Sequence, residues 1–200
     1  MAKCSACGER KGNRLCVALI SSICSLCCGT KRQKEIRCQQ TCEYLKKGEE
    51  YQLDREISKK IGSDLHLESE DVFQMDDVTP FVEALERFFV DQFYRGREVD
   101  DNRIYDSLAK IYAFRTGTIT PFKVGNKTEE VIFNKFSDLN KRFFHLSDSV
   151  KSRAILRIIK SIRSSSGGVL GNRNYLEMVY SQHTGKGKWA DLFSELETKG

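Results

Sequence analysis

The chain has 200 residues, 40% hydrophobic and 30% charged, with two prolines and a formal net charge of +5. That length suits one ordinary domain with a small satellite and excludes two large cores. No run approaches the roughly 18–20 apolar residues of a membrane span, so no membrane partner is expected.

All eight cysteines lie between Cys4 and Cys42. Such clustering marks a cysteine-dependent module joined to a domain that folds by hydrophobic burial. Bases up to Arg14 followed by LCVALISSICSLCC imitate a charged and then apolar export leader. Ser21 and Ser22 interrupt that run, no small-x-small cleavage site follows, and Leu26 stands where a lipobox before Cys27 needs a small residue. The expectation is a cytoplasmic protein whose thiols stay reduced, where paired cysteines tend to be metal ligands.

Two knuckles open the chain. Cys4-Ser-Ala-Cys7-Gly8 is a CxxCG motif, and Cys24-Ser-Leu-Cys27 a second CxxC at a separation that suits one shared zinc ion. A tight turn brings two sulfurs to one ion, and glycine lets the chain leave that turn with positive φ. Four more thiols remain: Cys16, Cys28, Cys38 and Cys42. Cys38 and Cys42 are four apart and would share a face on a helical turn. The favoured arrangement is two Zn²⁺ ions on two interleaved Cys4 sites, with one ion and four spare thiols as the rival. Either Cys27 or Cys28 can complete the second knuckle, because Gly29 follows Cys28 as Gly8 follows Cys7. Disulfides and a redox pair rank below metal ligation.

Residues 1–47 hold ten Lys and Arg against three acids. Eight thiolates on two Zn²⁺ would cancel more than half of that excess. Arg10, Lys11, Arg14, Lys31, Arg32, Lys34 and Arg37 are candidates for a phosphate-binding face. The competing reading is that they offset the anionic metal clusters and lower the thiol pKa values. No aromatic residue for base stacking precedes Tyr44, which favours the second reading.

From Glu43 onward the periodicity is helical. Leu45, Leu53, Ile57 and Ile61 continue from the cysteine module, with Gly48 weakening the middle of that helix. Residues 48–77 read as this helix and an acidic linker. Thr79-Pro80 then reads as cap and first residue of a helix carrying Phe81, Leu85, Phe88, Phe89 and Phe93. Asp100 or Asp101 caps the next, with Ile104, Leu108, Ile111 and Tyr112 on one face. Thr128 opens a helix bearing Ile132, Phe133, Phe136, Leu139 and Phe143, and Asp148 or Ser149 one bearing Val150, Ile155, Ile158, Ile159 and Ile162. Short helices follow around 174–182 and 188–197. The predicted fold class is mainly α: a small zinc-knuckle module over 1–47, then a helical bundle over 78–200.

Charge is uneven along this part. Residues 48–140 hold twelve bases against twenty acids, and residues 141–200 eleven against five. Lys141, Arg142, Lys151, Arg153, Arg157, Lys160 and Arg163 form a second candidate anion-binding face, although a charged outer stripe is normal for an amphipathic helix. No catalytic constellation appears. His66, His145 and His183 sit in unrelated contexts, and the run from Gly185 to Lys188 lacks the spacing and preceding strand of a phosphate loop.

The order CxxCG, ICSLCCGTKRQKEIRC and CEYL, with a late NYLEMV, resembles a group of uncharacterised bacterial proteins. These share a cysteine-rich zinc-type start and a helical domain. The pattern covers about 45 residues closely, departing where Gln39 follows Cys38 in place of proline. It implies the architecture and carries no activity. The sequence therefore reads as a non-enzymatic, zinc-binding adaptor that recruits a protein partner, with a zinc-dependent nucleic-acid-binding protein as the alternative.

Overall fold

The apolar stripes become the buried faces of helices. A computed structural model describes residues 2–65, 72, 77–167 and 171–197. His66, Gly168 and most of the acidic linker fall outside them. The fold is mainly α-helical, with a small cysteine-bearing N-terminal unit preceding a helical bundle. The chain divides into two compact units, Met1–Glu56 and Ile57–Gly200.

In the first unit, strands β1 (Arg14–Cys16) and β2 (Ser21–Ile23) pair antiparallel, Arg14 opposite Ile23 and Cys16 opposite Ser21. Helix α1 (Ser25–Lys31) follows at once, and α2 (Glu43–Asp64) begins after a bridged loop. The buried core here is Cys4, Ile23, Cys24, Cys27 and Ile36. Two isoleucines among three cysteines, with the buried Leu45 of α2, are too little apolar matter to hold a unit of this size by burial alone. Gly48 does not break α2. A Cβ at that position would collide with the Arg32 guanidinium, so the glycine makes room for an arginine from the preceding loop.

The second unit contains the last turns of α2, then α3 (Thr79–Phe89), α4 (Asp101–Arg115), α5 (Lys127–Arg142), α6 (Asp148–Ser165), α7 (Asn174–Thr184) and α8 (Ala190–Glu197). Its core is carried by the predicted stripes. Phe81, Leu85, Phe89, Ile104, Leu108, Ile111, Ile132, Ile155 and Ile159 are all fully buried. Helix α4 packs against both α5 and α6, and Phe81 meets the edges of Phe136 and Phe143 at ring separations of 6.3 and 5.6 Å.

Three helix starts differ from expectation by a residue or so. Thr79 is already helical, Val78 precedes it, and no side chain caps α3. Asn126 caps α5 by accepting from the Glu129 N–H, and Ser147 caps α6 by accepting from Val150. Asn and Ser outrank the neighbouring residues because a short side-chain oxygen reaches the unpaired amides of the first turn. After Phe89 the chain widens into a π-helical turn, Val90–Tyr94, before Gly96.

Of the acid pair at 100–101, Asp100 caps its own helix by accepting from Arg103 at 2.9 Å. Asp101 does something no local pattern announces. It is fully buried, and its carboxylate accepts from the amides of Tyr175 and Leu176 at 2.8 and 3.2 Å, closing the open start of α7 from a different helix. Burial pushes the Asp101 carboxyl up, and those two amides only partly oppose this.

Candidate metal centre

The first knuckle is built by the backbone. The Gly8 N–H donates to the Cys4 carbonyl at 2.7 Å, and Gly8 leaves the turn at φ +68°. The Cys4 N–H donates to the Arg10 carbonyl at 2.7 Å, which folds the strand after the knuckle back against the one before it. The second knuckle starts a helix. Cys24 is the N-cap of α1, and its sulfur accepts from the Cys27 amide at 3.4 Å. The two halves are joined sulfur to amide, because the Cys24 N–H donates to Cys4 Sγ at 3.1 Å.

The outcome is one cluster. The Sγ atoms of Cys4, Cys7, Cys24 and Cys27 lie within 4.8 Å of one another, and these four residues could hold one metal ion. Cys4, Cys24 and Cys27 are buried and Cys7 half-buried. A tetrahedral site with metal–sulfur bonds of about 2.3 Å needs sulfurs about 3.8 Å apart, which this grouping reaches with small side-chain shifts. The structure also selects Cys27 over Cys28 as partner of Cys24.

The electrostatics of the thiols fit a cation between them. Burial raises the Cys4 thiol, but the amides of Cys24, Ala6 and Cys7 outweigh it and bring its pKa down to about 6. Cys27 is pushed up to about 12, first by its hydrogen bond to Cys24 and then by burial. Without a cation, one favoured thiolate forces a neighbour to keep its proton. A divalent ion removes that conflict, since metal ligation requires all four sulfurs deprotonated.

The other four cysteines are not gathered in this way. Cys16 lies on β1, Cys28 one turn beyond Cys24 on α1, Cys38 after the loop and Cys42 just before α2. All four are half-buried thiols, and Cys16, Cys28 and Cys38 pack against the core around the first cluster. The described residues contain no second group of ligands drawn together, so the expected second site is not assembled here.

Several of the candidate phosphate-binding bases have partners inside the first unit. Some desolvation opposes the Arg10 charge, yet the Cys7 and Cys24 sulfurs beside it raise its pKa overall. Lys31 pairs with Glu35 at 2.6 Å, the Arg14 guanidinium sits 4.8 Å over the Tyr44 ring, and Arg32 covers Gly48. Lys11, Lys34 and Arg37 are exposed. In the second candidate face Lys151 is misplaced. It is buried, with its Nζ donating to the Asn140 carbonyl and side-chain oxygens at 3.2 and 3.0 Å, and desolvation lowers its pKa.

Between the start of α2 and the residues around α1 runs an open groove of about 680 Å³. Arg14, Arg32, Leu45, Tyr51, Leu53 and Glu56 are among its walls. Sequence reasoning missed it, because its lining is drawn from three separate stretches of chain.

No known protein family, curated protein or solved structure matches the chain.

In the second unit the histidines find structural surroundings. His183 lies 3.4 Å from Glu86, which also accepts from the buried Tyr175 hydroxyl at 3.0 Å. His145 lies tilted against the Phe143 ring and edge-on to Phe144. Gly185, at φ +63°, terminates α7, so the following Lys186 and Lys188 trail a helix where a phosphate loop would precede one.

Proposed function

We propose that the protein is a non-catalytic, zinc-stabilised interaction protein whose N-terminal unit recruits a protein partner. Cys4, Cys7, Cys24 and Cys27 hold one Zn²⁺. Cys16, Cys28, Cys38 and Cys42 close around a second ion when metal is supplied, a step that accounts for half-buried thiols beside the first site. Four thiolates and no open ligand position make a zinc site structural, and the bound ion supplies folding energy to a unit with little apolar core. Zinc sites of this kind persist in the reducing cytoplasm, which is where we place the protein. The proposed kinship to bacterial proteins with the same cysteine order agrees with this reading.

The observation that carries the choice of a protein partner is the groove beside α2. Its walls include Tyr51, 64% exposed, together with Arg14 and Arg32, residue types that dominate binding energy at protein interfaces. A phosphate-binding face gains less support, because Arg10, Arg14, Lys31 and Arg32 are engaged within the unit.

The test is capture from source cells by the zinc-loaded full chain, with and without nuclease, compared with Tyr51→Ala. A partner that survives nuclease, and is lost from Tyr51→Ala at unchanged metal content, supports the groove. Capture abolished by nuclease, with a steep salt dependence, transfers the function to nucleic acid.

A further inference from the structure

The turn joining β1 to β2 is Val17-Ala18-Leu19-Ile20. Tight turns between strands ordinarily use Gly, Asn, Asp, Pro or Ser, which supply positive φ or bond their own backbone. Here all four residues are apolar, and Ile20 adopts φ +50°. A β-branched residue in the left-handed region is strained, because its Cβ crowds the backbone. Ile20 is nevertheless 90% exposed, so packing within the chain gives nothing back for that strain. Leu15 (69% exposed), Val17, Leu19 and Leu26 are exposed too. Among its described residues the same unit buries three large aliphatic side chains beside its cysteines: Ile23, Ile36 and Leu45. It therefore presents more large aliphatic residues to solvent than it buries.

The stretch of sequence that carries this tip has charge of one sign. From residue 10 to residue 34 there are six bases and no acid. The two Zn²⁺ sites proposed above carry −2 each, which leaves about +2 on that stretch. Arg14 stands at the root of the hairpin, three residues before Val17. At about 3.3 Å per residue, that separation is about 10 Å. An apolar element lying in a bilayer interface sinks roughly 5–10 Å into the boundary between headgroups and acyl chains. Seating Val17–Ile20 at that depth would hold Arg14 at the level of the phosphates, where anionic lipids attract Lys and Arg.

We propose that the Val17–Ile20 hairpin is a peripheral membrane anchor that inserts into bilayers containing anionic phospholipid. The absence of a spanning helix among the described residues is compatible with this, since an inserted tip crosses nothing. A convex apolar turn with a basic root suits a fluid, negatively charged surface, and the metal cluster keeps it from collapsing inward. The anchor shares the metal-held frame of the proposed adaptor; its apolar tip, Val17–Ile20, lies outside the walls of the Tyr51 groove, although Arg14 and Arg32 belong to them.

The experiment is co-sedimentation of the zinc-loaded full chain with vesicles of phosphatidylcholine, with and without phosphatidylglycerol. Binding to the anionic vesicles, absent or much weaker with phosphatidylcholine alone and reduced by salt, is the expected result. Each base near the surface should contribute about fivefold in affinity, so changing the exposed Lys11 and Lys34 to alanine together should flatten the salt dependence. Ile20→Gly is the decisive variant, because glycine accepts the positive φ and keeps the turn while removing the inserted side chain. It should retain its metal by native mass spectrometry and bind vesicles at least about tenfold more weakly. Wild-type protein left in the supernatant of anionic vesicles overturns the proposal, as does an Ile20→Gly variant that binds like wild type. If Ile20→Gly loses a captured protein while wild type ignores vesicles, the tip belongs to a protein groove and the membrane assignment fails. Tyr51→Ala should sediment normally, so failure of the groove and failure of the anchor are told apart.

Discussion

The two units solve the same problem with different means. Residues 57–200 bury aliphatic and aromatic stripes from successive helices, and their largest fully buried side chains are Phe, Leu, Ile and Tyr. Residues 1–56 bury three cysteines and a few aliphatic side chains, and spend other large apolar residues on the surface. A unit that folds on hydrophobic burial must keep its apolar residues inside. One that is held by metal–sulfur bonds can display them, because its stability is drawn from elsewhere. On the proposed reading, this contrast is what leaves the smaller unit free to present apolar residues to a partner.

The sharpest way to break this comparison is to remove a ligand. Cys24→Ser should abolish metal binding at the first cluster and unfold the N-terminal unit, leaving most of the helical circular dichroism intact. A variant that stays folded and metal-free over residues 1–56 would show that burial suffices there after all. The converse experiment cuts the chain. Residues 57–200 should fold without metal, whereas 78–200 should be less stable by about 3 kcal/mol or more in urea titration. The shorter fragment loses buried Ile57 and Ile61 and the 2.5 Å bond from the Tyr112 hydroxyl to Asp64.

Within the second unit, Asp101→Ala should cost about 2 kcal/mol, because it exposes two buried amides of α7 to an apolar site. Asp101→Asn should cost less, since it keeps an acceptor. Asp64 sharpens the comparison through pH. Burial raises its pKa, but Lys60, Tyr112 and Ser63 outweigh that and hold it below the usual carboxylate value. A folded pKa below the unfolded one gives stability that is present above the unfolded pKa and lost as pH falls through the folded value. Urea midpoints of residues 57–200 should therefore fall in acid, and Asp64→Asn should show a shallower fall. The smallest effect is expected at Gly48. Alanine in a helix interior ordinarily gains up to about 1 kcal/mol over glycine. Here Gly48→Ala displaces Arg32, so the full gain should emerge only beside Arg32→Ala, as a non-additive double-mutant cycle.

What could be read ahead of the fold was whatever repeats within a short window. The CxxC spacings, the glycine after Cys7 and the stripes at three- and four-residue steps each place their residues through local geometry. They point to the mainly helical class, the core faces and three thiols of the first cluster, Cys4, Cys7 and Cys24, with Cys27 and Cys28 left as alternatives for the fourth. The helix starts near residues 79, 127 and 148 were legible to within a residue or two, because neighbouring Thr, Asn, Asp and Ser compete as caps and only the backbone decides between them.

The sequence by itself determined that a cysteine-held unit precedes a helical one, and which side chains the helices bury. Tertiary structure alone decided that Cys27 turns toward Cys4 while Cys28 does not, and that Asp101 caps a helix more than seventy residues downstream. It also withdrew Lys151 from a charged stripe to a buried seat on Asn140, and left an apolar turn in solvent at Val17–Ile20. The reason is the range of the interaction. Periodicity and turn chemistry act over one or two turns of chain, so they are written in neighbouring letters. Which distant groups share a buried space is fixed only when the elements meet, and the cost of an unpaired charge or amide then selects the partner.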